Sequence, residues 1–220
     1  MKDSNVTKNI VNRVRGLYVI LDPEIMKASS IIELAKATLS GGTTAIQLRD
    51  KQNDKGIQLK IAIELRKLCE EYNAVLIIND HADLAVASDS HGLHIGQNDL
   101  PYSYSKKILK PNQFIGTSNN NIEESKLSIN NGADYIAIGA MFTTDSKSNT
   151  RPSSLSYLTE IKQLSHLPPV VAIGGININN IDLVLEAGAD SICVISAVSL
   201  SDDPEKSTKS LVDKIQNFSN

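Results

Sequence analysis

The feature that most constrains this chain is a pattern that recurs at wide intervals along it. NGADYIAIG (131–139) and AGADSICVI (187–195) share a helix-stopping glycine, then Ala-Asp, then a short apolar run, and ASDSHGLHIG (87–96) is a looser version of the same unit. A repeated strand-helix unit is what a closed barrel of parallel strands requires, although an open doubly wound sheet can also contain it.

The rest of the chain continues the alternation. RGLYVIL (15–21) reads as a strand that stops at Asp22-Pro23. SSIIELAKATL (29–39) spaces its apolar residues on one helical face and meets a stop at Gly41-Gly42. TTAIQLRDK (43–51) is expected as the second strand. Helix 56–72, strand 75–79, helix 82–88, strand 92–96, helix 103–109 and strand 113–117 follow. Helix 122–132, strand 135–139, helix 154–165, strand 170–175, helix 179–187, strand 191–196 and helix 204–217 complete the series. Several strands are apolar at consecutive positions, as parallel strands covered on both faces are. Eight such units in 220 residues match a (β/α)8 TIM barrel of the α/β class, read as one domain over 1–220 with a short N-terminal extension at about 1–14.

Charge and cysteine content narrow the function classes. A formal charge of −3 gives no general attraction to a polyanion, so nucleic acid is disfavoured as a partner. Cys69 and Cys193 stand far apart in apolar surroundings and read as core thiols, not as a metal cluster or redox pair. No stretch near the N-terminus has the apolar length of a signal peptide or membrane span, so the expectation is a soluble, cytoplasmic protein without a membrane partner. The chain says nothing about oligomeric state beyond leaving a homo-oligomer open.

In such a barrel the polar residues at the carboxyl ends of the strands converge on one mouth. Gln47, Arg49 and Lys51 alternate and so share a side. Asn79 and Asp80 end strand three, His94 with Gln97 and Asp99 ends strand four, Ser118 follows strand five, and Lys147 lies in the long loop after strand six. Arginine suits the oxygen fork of a phosphate and lysine supplies a mobile charge. Asp80 and Asp99 are able to hold a hard cation whose remaining ligands are diphosphate oxygens. Structural readings compete: Asp80 also fits a cap on the helix beginning at Ala82, and His94 also fits a satisfied core or rim residue. Gly174-Gly175 follow strand seven and Val194-Ile195-Ser196 end strand eight before a helix, positions where backbone N–H groups and a helix N-terminus frequently take a phosphate. Asp134 and Asp190 precede strands and read as stability residues at the opposite end.

These residues resemble the thiamine monophosphate synthase family. The matching pieces are YVI (18–20), QLRDK (47–51), NDHADLA (79–85), GLHIGQND (92–99), GTS (116–118), GADYIAIG (132–139), FTTDSK (142–147), VAIGGI (171–176) and GADSICVISA (188–197), in family order. The resemblance implies a TIM barrel that joins a hydroxymethylpyrimidine diphosphate to a thiazole phosphate, releasing diphosphate. It further implies that Gln47, Arg49, Lys51, Asn79, Ser118 and Lys147 bind the pyrimidine diphosphate and that Asp80 and Asp99 bind Mg2+. Thr144, Ser146, Gly175, Ile195 and Ser196 are implied to contact the thiazole phosphate, and His94 corresponds to a family histidine near the site. Arg49, Lys51 and Lys147 are the groups expected to stabilise the departing diphosphate, with the bond to it breaking before the thiazole nitrogen captures a pyrimidine-stabilised cation. The family's FPTxTK reads FTTDSK here, and a histidine frequent two places after Ser118 is Asn120. Two other readings stand beside the transferase: a thiazole tautomerase of the same barrel type, and a non-catalytic ligand-binding regulator. The first need not keep the donor-diphosphate cluster, which is complete in this chain.

Overall fold

The structure is a computed structural model, and its described residues are 7, 9–144 and 151–219. Eight parallel strands close on themselves: β1 Gly16–Leu21, β2 Ala45–Leu48, β3 Val75–Asn79, β4 Gly92–Ile95, β5 Phe114–Asn119, β6 Tyr135–Ile138, β7 Val170–Ile173 and β8 Ser191–Val194. β8 pairs in parallel with β1, Tyr18 lying beside Cys193, and this pairing removes both sheet edges. Around the barrel run α1 Ile31–Ser40, α2 Lys55–Glu71, α3 Ala82–Ala87, α4 Tyr102–Ile108 and α5 Ile122–Asn130. They are followed by α6 Leu155–Ile161, α7 Ile181–Glu186, α8 Ser196–Ser199 and α9 Pro204–Ser219.

Local chemistry explains the helix starts. Ser30, Asp54, Asn121 and Ser154 each turn a side-chain oxygen onto the N–H three residues ahead, so that a first-turn donor is satisfied. On α1 the buried residues Ile31, Leu34, Ala35, Thr38 and Leu39 fall on one face, the spacing that seats a helix on a sheet.

The core has two layers. One, between strands and helices, includes Leu17, Val19, Ile46, Leu76 and Ile136. The other fills the barrel itself with Tyr18, Val75, Ile77, Phe114, Tyr135 and Val171. Alternation along a strand sends successive side chains to these two layers, which is why the strands are apolar at consecutive positions. The segment ahead of β1, expected as an extension, takes part in the interior: Val11 and Val14 are buried against that second cluster.

The repeated sequence unit has a definite job at the amino ends of the strands. Asp134 Oδ2 accepts the N–H of Ile115 at 2.8 Å while its own N–H goes to the Ile115 carbonyl. Asp190 does the same to Val170, at 2.9 Å through Oδ2. In the looser repeat His91 takes this place, with Nδ1 accepting from Leu76 N–H at 2.9 Å. Each repeat thereby stitches the bottom of one strand to its neighbour, which agrees with the stability reading of Asp134 and Asp190.

Several boundaries differ from expectation. β2 covers Ala45–Leu48 within the expected 43–51. β5 runs on to Asn119, so Ser118 lies inside the sheet beside Ala137 and does not follow the strand. The helix expected to reach 165 ends at Ile161, and a short helix, α8, stands immediately after β8 where none was expected.

Candidate active site at the carboxyl end of the barrel

A cavity of about 600 Å3 opens at the carboxyl ends of the strands. Its floor is the upper side of the barrel interior, where Ile20, Ala137, Val171, Ile173 and Cys193 present apolar surface together with the Tyr18 phenol. Every described residue expected at the site lines it. β2 and the turn after it supply Gln47, Arg49 and Lys51, the β3 end supplies Asn79 and Asp80, and β4 with its loop supplies His94 and Asp99. Ser118 comes from β5, Thr144 from the loop after β6, Gly175 from the end of β7, and Ile195 with Ser196 from the start of α8. Ser146 and Lys147 lie outside the described residues.

The cationic side is tied down by an acid that the sequence reading did not place in the site. Arg49 is ion-paired through Nη1 with Asp22, at the end of β1, and Asp22 is wholly buried. Asp22 also accepts the N–H of Glu24 at 3.0 Å through its other oxygen, so its carboxylate is fixed from two sides. A guanidinium held this way reaches the cavity in one orientation, while Lys51, half exposed, keeps the mobility of its stem. Lys51 Nζ lies 3.7 Å from Asp80 Oδ2.

Asp80 sits in backbone that a side chain rarely adopts. Its φ is 63°, and His81 N–H closes a three-residue turn onto the Asn79 carbonyl at 2.8 Å. Turns of this positive-φ kind are strained, and Asp or Asn tolerates them better than other side chains. The helix-cap reading of Asp80 does not hold: the cap position of α3 is His81, and no side chain caps there. The Asp80 carboxyl is instead turned toward Asp99, and its pKa is pushed up to about 6, first by burial and then by its contact with Asp99, against the opposing pull of Lys51 and Arg49. Asp99 Oδ2 also accepts the N–H of Gly96 at 2.6 Å.

Two partly buried carboxylates side by side fit a hard divalent cation, which would relieve their repulsion. Among the described residues no third His, Cys, Asp or Glu joins them to complete a metal cluster. A cation held here would therefore take most of its shell from substrate oxygens and water, the usual state of protein-bound Mg2+.

On the opposite rim, Met141 and Phe142 run along the end of β7, their N–H groups on the carbonyls of Ile173 and Gly174 at 3.0 Å. Gly175 has φ 65°, and a Cβ there would meet the Thr143 carbonyl at 2.6 Å. Only glycine permits this close pass, and it leaves backbone exposed to the cavity beside the first turn of α8.

His94 is buried, with Nδ1 2.8 Å from Tyr135 Oη and Nε2 2.8 Å from Ser118 Oγ. Both ring nitrogens are thus engaged, as the satisfied-residue reading of His94 expected. The sequence reading missed Tyr18 and Tyr135 as contributors, although a phenol inside an apolar barrel strand signals a hydroxyl that must find a partner.

The fold and the cavity permit comparison with known proteins. The family model described as thiamine monophosphate synthase matches residues 17–198, which covers all eight strands except Gly16 at the start of β1.

The chain belongs to the thiamine monophosphate synthase family.

It is 41% identical over 206 residues to the thiamine-phosphate synthase of Coprothermobacter proteolyticus, covering 94% of this chain and 97% of that protein. Identity to the thiamine-phosphate synthase of Shouchella clausii is 39% over 197 residues, covering 89% of this chain and 94% of the relative. The solved structure of a thiamine phosphate pyrophosphorylase from Pyrococcus furiosus superposes with a TM-score of 0.87 at 36% identity, over 96% of this chain and all of that one. Barrels of much lower identity, such as a 3-hexulose-6-phosphate synthase at 15% and TM-score 0.65, share the fold alone. Among the described residues no helix is long and apolar enough to cross a membrane.

Proposed function

We infer that this member of the thiamine monophosphate synthase family is a transferase that condenses 4-amino-2-methyl-5-(diphosphooxymethyl)pyrimidine with a thiazole phosphate, forming thiamine phosphate and diphosphate. The observation that carries the reading is the division of one cavity. An apolar floor suited to an aromatic ring lies beneath a cationic and acidic rim formed by Arg49, Lys51, Asp80 and Asp99, and a glycine-bordered rim formed by Gly175, Ile195 and Ser196 stands apart from it. A flat ring with a diphosphate and a second, smaller phosphate ester are what such a cavity separates.

The chemistry asks little covalent work of the protein. The thiazole nitrogen supplies a lone pair to the methylene carbon, and the C–O bond to diphosphate breaks with its electrons leaving on oxygen. The attacking nitrogen carries no proton, so no general base is needed, which suits a site whose buried histidine has both nitrogens engaged. Arg49, held by Asp22, and Lys51 stabilise charge gathering on the leaving group. Mg2+ at Asp80 and Asp99 would add a further charge on the diphosphate oxygens when bound. Asn79 and Ser118 offer neutral hydrogen bonds to the same group, Thr144, Gly175, Ile195 and Ser196 to the second phosphate. The walls hold nitrogen and carbon in line and keep water from taking the carbon instead. From the family resemblance, Lys147 is assigned to the diphosphate and Ser146 to the thiazole phosphate.

The deciding experiment supplies purified protein with both substrates and follows thiamine phosphate with and without Mg2+. Metal-dependent formation is expected. A folded protein that yields none under varied metal conditions would rule the transferase out.

A further inference from the structure

Five strands contribute to one hydrogen-bonded chain in the cavity floor. Gln47 Nε2 donates to Tyr18 Oη at 2.7 Å, Tyr18 Oη lies 3.1 Å from Tyr135 Oη, and Tyr135 Oη lies 2.8 Å from His94 Nδ1. His94 Nε2 completes it at 2.8 Å from Ser118 Oγ. The register allows the long step between β4 and β6: Gly116 stands beside His94 on one flank and Tyr135 on the other. A Cβ on Gly116 would fall 1.9 Å from the Tyr135 ring, so the two aromatic rings stack across the glycine with centroids 5.6 Å apart.

Both ends of the chain reach the cavity, while Tyr135 itself is fully buried. At one end Gln47 Oε1 is buried and has no partner, although Gln47 is only 2% exposed. At the other stands the Ser118 hydroxyl. Burial pushes both phenols well above the ordinary tyrosine value, so each keeps its single proton.

With one proton on each phenol and one on the imidazole, two orders run unbroken from end to end of the chain. In the first, the Gln47 amide donates to Tyr18, each phenol passes its proton along, and neutral His94 gives Nε2–H to Ser118, whose own proton is left for the cavity. Gln47 then presents a carbonyl. In the second, Ser118 gives its proton to His94, every link reverses, and Gln47 presents an amide NH2. An anion at Ser118 needs a donor there and so selects the first order.

We propose that Tyr135, with Tyr18 and His94, is a positioning element that couples the two ends of the pyrimidine diphosphate: diphosphate at Ser118 fixes the Gln47 amide as an acceptor, which selects the 4-amino pyrimidine over its 4-oxo counterpart. The proposal rests on the transferase reading of the cavity. A 4-oxo ring would replace the amino donor with an oxygen facing the Gln47 carbonyl, so that this contact turns from a hydrogen bond into a repulsion, a mismatch that discriminates steeply in a buried site. Tyr135 touches no substrate in this account and acts through its neighbours.

The test is Tyr135→Phe, which removes the central hydroxyl and keeps the ring. Dissociation constants are measured with Mg2+ and without thiazole phosphate, so that turnover does not intrude, for the 4-amino and 4-oxo pyrimidine diphosphates. In the unaltered protein the amino form should bind better by about tenfold or more. In Tyr135→Phe that ratio should fall by about tenfold, and Tyr18→Phe, which cuts the chain at another link, should lower it likewise. An unchanged ratio in both variants would overturn the proposal, as would equal weakening of both ligands with the ratio intact, the result of a merely structural hydroxyl. Failure of the unaltered protein to bind either diphosphate would instead overturn the transferase reading beneath it, and it would be seen before any variant is made.

Discussion

One residue at the amino ends of the strands should make a measurable part of the stability acid-sensitive. His91 occupies the place that Asp134 and Asp190 hold in the other repeats, and its Nδ1 accepts the N–H of Leu76 only while the ring is neutral. Burial lowers its pKa from 6.5 to about 4, helped by the charges of Arg66 and Arg13 and opposed by Asp89. The unfolded chain therefore takes up a proton below about pH 6.5 that the folded chain refuses until about pH 4. Stability from this group is whole above pH 6.5 and is lost as pH falls through that window. At about 1.4 kcal/mol per unit the full shift is worth about 3 kcal/mol. The ring keeps some solvent contact, which reduces the figure to about 2 kcal/mol. For a chain of this size that is a melting temperature lower by about 4–8 °C at pH 4.5 than at pH 7 from this residue alone. His91→Asn puts a non-titrating oxygen where Nδ1 stood, so its melting temperature should fall less between the two pH values by about that amount. Thermal scans of both proteins at each pH decide the matter. Equal pH dependence in the two would refute the assignment, as would a ring titration near 6.5 followed by NMR.

Other consequences are as direct. Gly116→Ala should cost about 3 kcal/mol or more in denaturant unfolding, because its Cβ would overlap the Tyr135 ring; a melting curve like that of the unaltered protein would mean the barrel interior is looser than its geometry. Asp80→Asn should keep the fold, since Asn also tolerates positive φ, yet lower turnover and abolish the rise in melting temperature on adding Mg2+; full activity with intact metal response would remove Asp80 from the metal site. Asp22→Ala should cost about 3 kcal/mol of stability and raise the KM for the pyrimidine diphosphate, because it strands a partly buried arginine; a change in neither would show that Asp22 does not position Arg49.

The order and kind of elements were legible because each strand and helix carries its own period, and the Gly-Ala-Asp repeat marks where strands begin. The rim was legible for a similar reason: in a parallel barrel, residues at strand ends share a mouth whatever their separation, so Gln47, Asp80, Asp99 and Ser196 could be assigned to one opening from position alone. Boundaries were less legible, as with Ser118, because hydrogen bonds to β6 and not local preference decide where β5 ends.

What the sequence determined by itself, then, is which residues stand at strand ends and which chemical types meet there. Only the tertiary structure decided which side chains hold which. Asp22 on Arg49, Gly116 beneath the His94 and Tyr135 rings, and the unpartnered oxygen of Gln47 depend on register between strands that a helix separates in the chain. Register is set by closure of the whole barrel, and no local stretch of chain encodes a distance across it.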